Sequence, residues 1–202
     1  MIVIIDYGMG NLRSVSKALE HLGAPVKISS EISEIEKADK LVLPGVGAFG
    51  DAARELRNQK LMDPIRTFIQ KKKPFLGICL GLQLLFETSE ESPKEKGLAV
   101  FPGSVKHFEP DDSIKVPHMG WNSVKIKQTH PLLKGVPENS FFYFVHSFFA
   151  SPKDSKLVAL DCEYGKDNFA AAIGTESLFA TQFHPEKSQE AGLKILKNFV
   201  EW

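Results

Sequence analysis

The chain has only two cysteines and two tryptophans among its 202 residues, and its 25 lysines and arginines are balanced by 25 aspartates and glutamates. Two cysteines do not make a disulfide scaffold. A neutral balance gives no broad basic surface for nucleic acid or an anionic membrane. No apolar run reaches the ~18 residues of a membrane-spanning helix. Ile2-Val3-Ile4-Ile5 reads as a strand with no basic n-region or secretory h-region ahead of it. The histidines, His21, His107, His118, His130, His146 and His184, pair neither with one another nor with cysteine at zinc-site spacing, so no metal is expected. There is no P-loop. Gly8-Met9-Gly10 follows a strand, but Arg13 stands where a dinucleotide fingerprint needs its third glycine. The expectation is a chain with no cofactor, no nucleic-acid partner and no membrane partner, in a reducing, cytoplasmic setting.

What is present suits one globular domain over 1–202. A chain of this length buries roughly 70% of its unfolded surface and needs no staples. The first half alternates strand and helix. Ile2 to Ile5 and Leu41 to Leu43 read as buried strands, and Asn11 caps a helix carrying Leu12, Val15, Leu19 and Leu22 until Gly23 stops it. Ala52 to Gln70 is helical, interrupted near Asp63-Pro64, and Phe75 to Ile78 is a strand, after which Leu80 to Phe86 reads as the start of a helix. Such alternation predicts an α/β fold with a central, mixed but mostly parallel sheet flanked by helices. Glu87 to Lys96 is a charged surface loop. From about residue 97 short apolar runs predict an additional antiparallel region: Leu98–Phe101, Ser123–Ile126, Phe141–Val145, Leu157–Leu160, Phe169–Ile173 and Leu178–Phe183. A helix with Leu193, Leu196, Phe199 and Val200 facing inward follows.

The chemistry centres on Cys79, within Gly77-Ile78-Cys79-Leu80-Gly81. A lone cysteine is ordinarily a core residue, and Cys162 is read that way. Glycines on both sides, at a strand-to-helix junction, give Cys79 instead the form of a nucleophile elbow. Backbone N–H groups at the helix start favour thiolate. The run Leu178–Phe183 leads into His184-Pro185-Glu186. On extended backbone, residues two apart point the same way, so His184 becomes the base and Glu186 its orienting acceptor. A third strand ends in Pro44-Gly45-Val46-Gly47. One N–H from this loop, with that of Leu80, would make an oxyanion hole.

These three segments resemble the signatures of class I, triad-type glutamine amidotransferases, in order and rough spacing. Asp6-Tyr7-Gly8-Met9-Gly10-Asn11-Leu12-Arg13-Ser14-Val15, Pro117-His118-Met119-Gly120-Trp121-Asn122, Tyr143-Phe144-Val145-His146-Ser147 and His184-Pro185-Glu186-Lys187-Ser188 further resemble the family of glutaminase subunits of imidazole glycerol phosphate synthase. The resemblance spans essentially the whole chain.

It implies hydrolysis of L-glutamine to glutamate and ammonia by a Cys79–His184–Glu186 triad, with Val46 and Leu80 as backbone oxyanion donors. It implies substrate contacts at Gly45, Gly47, Gln83, Ser147 and Phe148. Phe148 stands where tyrosine is expected in many relatives, which a backbone contact survives. It implies a heterodimer with a (β/α)8-barrel cyclase subunit, which uses the ammonia to make imidazole glycerol phosphate and aminoimidazole carboxamide ribotide. Glutaminase activity is then weak until the partner binds its ligand, and reorientation of the Val46 peptide is one route to activation. Asn11, Met119, Trp121, Tyr143, His146 and Lys187 are nominated for the partner face. For Tyr143 and His146, strand periodicity favours the core. A glutaminase serving another synthase, for anthranilate or pyridoxal phosphate, stays open, as does a non-catalytic interaction subunit.

Overall fold

In the computed structural model, residues 1–110 and 114–202 are described. The N-terminal half lays down β1 (Ile2–Ile5), α1 (Leu12–His21), β2 (Val26–Ser29), α2 (Ile32–Lys37), β3 (Lys40–Gly45), α3 (Phe49–Asn58), α4 (Met62–Gln70), β4 (Phe75–Cys79) and α5 (Leu80–Gln83). Then come β5 (Thr88–Ser89), β6 (Gly103–His107), β7 (His118–Ser123), β8 (Lys125–Ile126), β9 (Phe141–His146), β10 (Phe148–Pro152), β11 (Val158–Tyr164), β12 (Asp167–Gly174), β13 (Leu178–Thr181) and α6 (Gln189–Glu201).

The main sheet has the order β2-β1-β3-β4-β13-β12-β11-β8. Strands β2, β1, β3, β4 and β13 are mutually parallel, and β12, β11 and β8 extend the sheet antiparallel. This is the expected mixed sheet with an antiparallel addition. The parallel strands β1, β3, β4 and β13 are buried on both faces, which explains their near-continuous apolar runs. Ile2, Ile4, Val42, Leu76 and Ile78 pack towards α1 and α6, through Val15, Leu19, Ile195, Leu196 and Phe199. Val3, Ile5, Leu41, Leu43 and Phe75 pack towards α2, α3 and α4, through Ile35, Ala52, Leu56, Ile65 and Phe68. Two smaller sheets, β10-β6-β5 and β7-β9, stand apart from the main one.

Several local expectations are corrected. The helical stretch 52–70 breaks at Lys60, not at Pro64. Lys60 adopts φ +59°, and the Leu61 N–H reaches back to Leu56 O at 2.8 Å, a Schellman-type stop. Pro64 lies in the first turn of α4, where a missing N–H costs nothing. The run Leu98–Phe101 is not a strand. Its N–H groups donate to the carbonyls of Leu84, Leu85 and Phe86, so it serves the backbone that leaves α5. That helix is a single turn and does not reach Phe86. The loop 87–96 is tied down: it contributes β5, and Glu91 accepts from the Phe49 N–H at 2.7 Å, at the start of α3.

Lys40 links the sheet to the last helix. Its Nζ donates to the carbonyls of Phe199, Val200 and Trp202 at 2.9, 2.6 and 2.9 Å. These are acceptors left over at a helix C-terminus, where a cation is also favoured by the dipole. Lys40→Met should cost about 1–2 kcal/mol, read as a melting temperature lower by about 2–8 °C. An unchanged melting temperature would show the ammonium to be idle.

Candidate active site

Strand β4 lies between β3 and β13, so the ends of these three neighbours meet at one edge. Cys79 ends β4 and sits at φ +54°, ψ −107°. For a non-glycine residue this backbone costs on the order of 1–3 kcal/mol. The two glycines are required by contact. A Cβ on Gly81 would stand 1.9 Å from the Leu43 carbonyl oxygen, and one on Gly77 would stand 2.9 Å from the Ala180 Cβ. The elbow thus presses directly against β3 and β13.

Cys79 lines a cavity of about 330 Å³ with Val46, Gly47, Leu80, Gln83, Ser147, Phe148 and His184. That gathers most of the nominated catalytic, oxyanion and substrate positions around one space. Gly45 lies beneath it: a Cβ there would meet the Tyr7 hydroxyl at 2.5 Å and the Leu80 Cβ at 2.8 Å. Tyr7 is fully buried and donates to Pro44 O at 3.0 Å. Burial, with the nearby Cys79 charge, pushes its phenol well above the usual range. Val46 is 41% exposed, and Gly47 turns the loop at φ +95°.

His184 Nδ1 lies 2.9 Å from Glu186 Oε1, and both side chains are almost wholly buried. The extended spacing predicted for them is corrected. Strand β13 stops at Thr181, and Pro185–Lys187 form a 3₁₀ turn that folds Glu186 back onto the imidazole. The His184 backbone is pinned on both sides: its N–H donates to Tyr143 O at 3.1 Å, and the Ser188 hydroxyl donates to its carbonyl at 2.7 Å. Burial opposes charge on this imidazole, but Cys79 and Glu186 outweigh it and raise His184 to about 10. Among the described residues Nε2 itself has no hydrogen-bond partner. Cys79 therefore acts on the ring without a closed hydrogen bond, as is common before substrate binds. Helix α5, at one turn, offers local N–H groups rather than a long macrodipole.

The ribbon β7–β9 closes one side of the cavity through Val145 and His146, with Pro117 beside it. Its inner face carries His118 opposite His146, Gly120 opposite Phe144, and Asn122 opposite Phe142. Its outer face pairs Met119 with Val145 and Trp121 with Tyr143. Met119 and Trp121 are 62% and 46% exposed. Lys187 Nζ stands 6.0 Å over the Tyr143 ring, and Asn11 is an exposed N-cap of α1. His146 does not join that surface. It is 6% exposed, its Nδ1 is 2.8 Å from Phe148 O, and its Nε2 is 3.0 Å from His118 Nδ1. A carbonyl only accepts, so His146 carries its proton on Nδ1 and His118 donates to its Nε2. Asn122 Nδ2 then donates to His118 Nε2 at 3.3 Å. The signal was legible: Phe142, Phe144 and His146 share one face at strand period.

Glu91, Pro117 and Val145 also line the cavity, and sequence reasoning did not single them out as site residues. Cys162 is buried, and burial pushes its thiol up to about 12. Among the described residues no cluster of His, Cys, Asp and Glu suits a metal, and no helix is long and apolar enough to cross a membrane.

A strained cysteine elbow beside a buried His–Glu pair is the arrangement that the resemblance to triad-type amidotransferases implies. The profile of the family "Glutamine amidotransferase class-I" matches residues 3–202, and the chain belongs to that family. Imidazole glycerol phosphate synthase subunit HisH of Rhodopirellula baltica is 53% identical over 200 residues, covering 99% of this chain and 97% of that protein. The same-named protein of Methanosarcina barkeri is 51% identical over 205 residues, covering 99% and 98%. The structure of PurLQS from Thermotoga maritima superposes with a TM-score of 0.75 at 20% identity, over 99% of this chain and 97% of that one. A solved structure described as a glutamine amidotransferase gives 0.76 at 16% identity over the whole of both chains. The last two likenesses speak for the fold alone.

Burial holds His118 down at about 4 and His146 down at about 3. Both stay neutral in the folded chain while their unfolded counterparts take up protons below about pH 6.5. Their contribution to stability is present above that pH and lost as pH falls towards 4. His184 has the opposite sign: its contribution is present below about pH 6.5 and lost as pH rises towards 10. Stability should therefore peak near pH 6.5. On the acid side it should fall by up to about 1.4 kcal/mol per pH unit for each neutral histidine. Denaturant titrations at stepped pH measure this, and His118→Gln should flatten the acid limb.

Proposed function

We propose that this chain is the glutaminase subunit of an imidazole glycerol phosphate synthase, one domain over 1–202. It hydrolyses L-glutamine to glutamate and ammonia with Cys79, His184 and Glu186. The observation that carries the reading is the strained Cys79 elbow facing a cavity that His184 also lines, with His184 held by Glu186 at 2.9 Å. The shared name of the full-length relatives supports the choice of synthase.

The sulfur attacks the side-chain amide of glutamine, with its proton passed to His184. The oxyanion is met by the N–H groups of Val46 and Leu80. His184 then protonates the departing amine, and ammonia leaves. Water, deprotonated by His184, cleaves the γ-glutamyl thioester, giving glutamate and restoring the thiol. Gln83 has its Nε2 engaged by Phe148 O and Gln182 Oε1, so its Oε1 is the atom offered to substrate. Gly45 and Gly47 shape the oxyanion loop, and Ser147 and Phe148 border the glutamine on the opposite wall.

Ammonia in bulk water at neutral pH is nearly all ammonium, which is not a nucleophile. It therefore passes directly to a cyclase partner, a (β/α)8 barrel bound as a heterodimer. The exposed face of β7–β9, with Met119, Trp121 and Tyr143, adjoins the cavity and suits that partner, with Asn11 and Lys187 beside it. Reorientation of the exposed Val46 peptide would couple partner binding to turnover. A reducing, cytoplasmic compartment keeps Cys79 usable.

The test is glutamate release by the purified chain alone, then with the barrel partner and its nucleotide ligand. Strong activation only in the full mixture is expected. Full activity of the chain alone would exclude this synthase. In the complex, Cys79→Ala should lower glutamine-dependent synthesis by about 10⁴-fold or more and leave ammonia-dependent synthesis intact. Trp121→Ala should weaken partner binding about thirtyfold, as loss of an interface anchor does; calorimetric titration measures it, and an unchanged affinity would move the interface elsewhere.

A further inference from the structure

Gln182 is the one amide in the apolar run Leu178–Phe183, and it is fully buried. A buried amide must find partners for its donors and acceptor. The Gln182 partners lead to the nucleophile. Its Oε1 accepts from Gln83 Nε2 at 3.2 Å, and its Nε2 donates to Cys79 Sγ at 3.7 Å. The orientation follows from the network. The Phe148 carbonyl can only accept, so Gln83 presents Nε2 to it, at 2.9 Å. The same Nε2 serves Gln182 Oε1, which leaves the Gln182 NH2 group facing sulfur.

We propose that Gln182 is a further catalytic residue: its amide donates to the Cys79 sulfur, stabilises the thiolate and holds it towards the cavity, while Gln83 and the Phe148 carbonyl fix the amide's direction. The proposal rests on the glutaminase reading above. Cys79 is only 6% exposed, so its anion has little water to solvate it, and a fixed donor takes the place of that water. His184 cannot do this throughout the cycle, because it gives its proton to the leaving amine. Gln182 is neutral and keeps its donor at every step. It supports the thiolate that attacks the amide and also the thiolate expelled when water cleaves the thioester.

The test uses two variants, each in the complex with the cyclase partner. Gln182→Leu fills the space without a donor. Gln182→Glu keeps an acceptor for Gln83 and, when ionised, cannot donate. Turnover of glutamine should fall about tenfold to a hundredfold in Gln182→Leu, the worth of one hydrogen bond to a charged group. The deciding readout is the pH profile of Cys79 alkylation by iodoacetamide, followed by peptide mass so that Cys162 does not contribute. Its midpoint should move up by about one unit or more in both variants, and further in Gln182→Glu, where a second anion opposes the thiolate. If Gln182→Leu does not fold, Gln182→Glu carries the test. A midpoint unchanged from the parent chain would overturn the proposal even if activity fell, because a purely structural amide does not tune the sulfur. Absence of glutaminase activity in the parent complex would instead sink the functional reading, and the alkylation profile would still report on Gln182.

Discussion

Everything at the site depends on the close approach of the Cys79 elbow to the strand beside it. The Leu43 carbonyl stands 1.9 Å from where a Gly81 Cβ would be, so the turn after β4 lies flat against β3. That approach lets Cys79 hold φ +54°, because the packed sheet on either side over-determines a conformation the residue would not choose. It also sets the two other parts. Strand β3 delivers the Gly45–Gly47 loop on one side, and β13 delivers His184 on the other. One steric constraint at the centre of a parallel sheet thus fixes nucleophile, oxyanion loop and base relative to one another.

Around this centre lies a set of hydrogen bonds whose directions are all determined. From Asn122 the donors point through His118 and His146 to the Phe148 carbonyl. From the other side Gln83 donates to the same carbonyl and to Gln182, and Gln182 donates to sulfur. The Phe148 oxygen is where the two series meet. A chain with fixed direction is possible because burial keeps both imidazoles neutral, each with one donor and one acceptor.

The architecture was legible because parallel strands covered on both faces need unbroken apolar runs, and β1, β3 and β4 have them. The Cys79 elbow was legible from its two glycines. Elsewhere local pattern was overruled by long-range partners. Leu98–Phe101 has strand composition, yet its N–H groups go to the carbonyls leaving α5. The break at Lys60 carries no glycine or proline, so Pro64 marks the boundary four residues late. Strand β2 is an edge strand with Lys27 and Ile28 exposed, and α2 is too short to show a period. The pairing of His184 with Glu186 is legible in the sequence, but the 3₁₀ turn that joins them does not show in a three-residue spacing. Gln182 sits in a run whose pattern is set by its apolar neighbours, so nothing in the local sequence marks its one buried amide.

The ribbon β7–β9 gives its consecutive residues to different surroundings. His118 belongs to the interior and Met119 to the outside, and the alternation continues through Gly120 and Trp121. Its two faces are therefore free to change separately by substitution, since a new side chain on one leaves the other untouched. They are not free to change in length. A single residue added or lost within β7 would exchange the two sets, sending the imidazole of His118 into solvent and the indole of Trp121 into the core. For this segment evolution can rewrite letters but cannot shift the reading frame of the pleat.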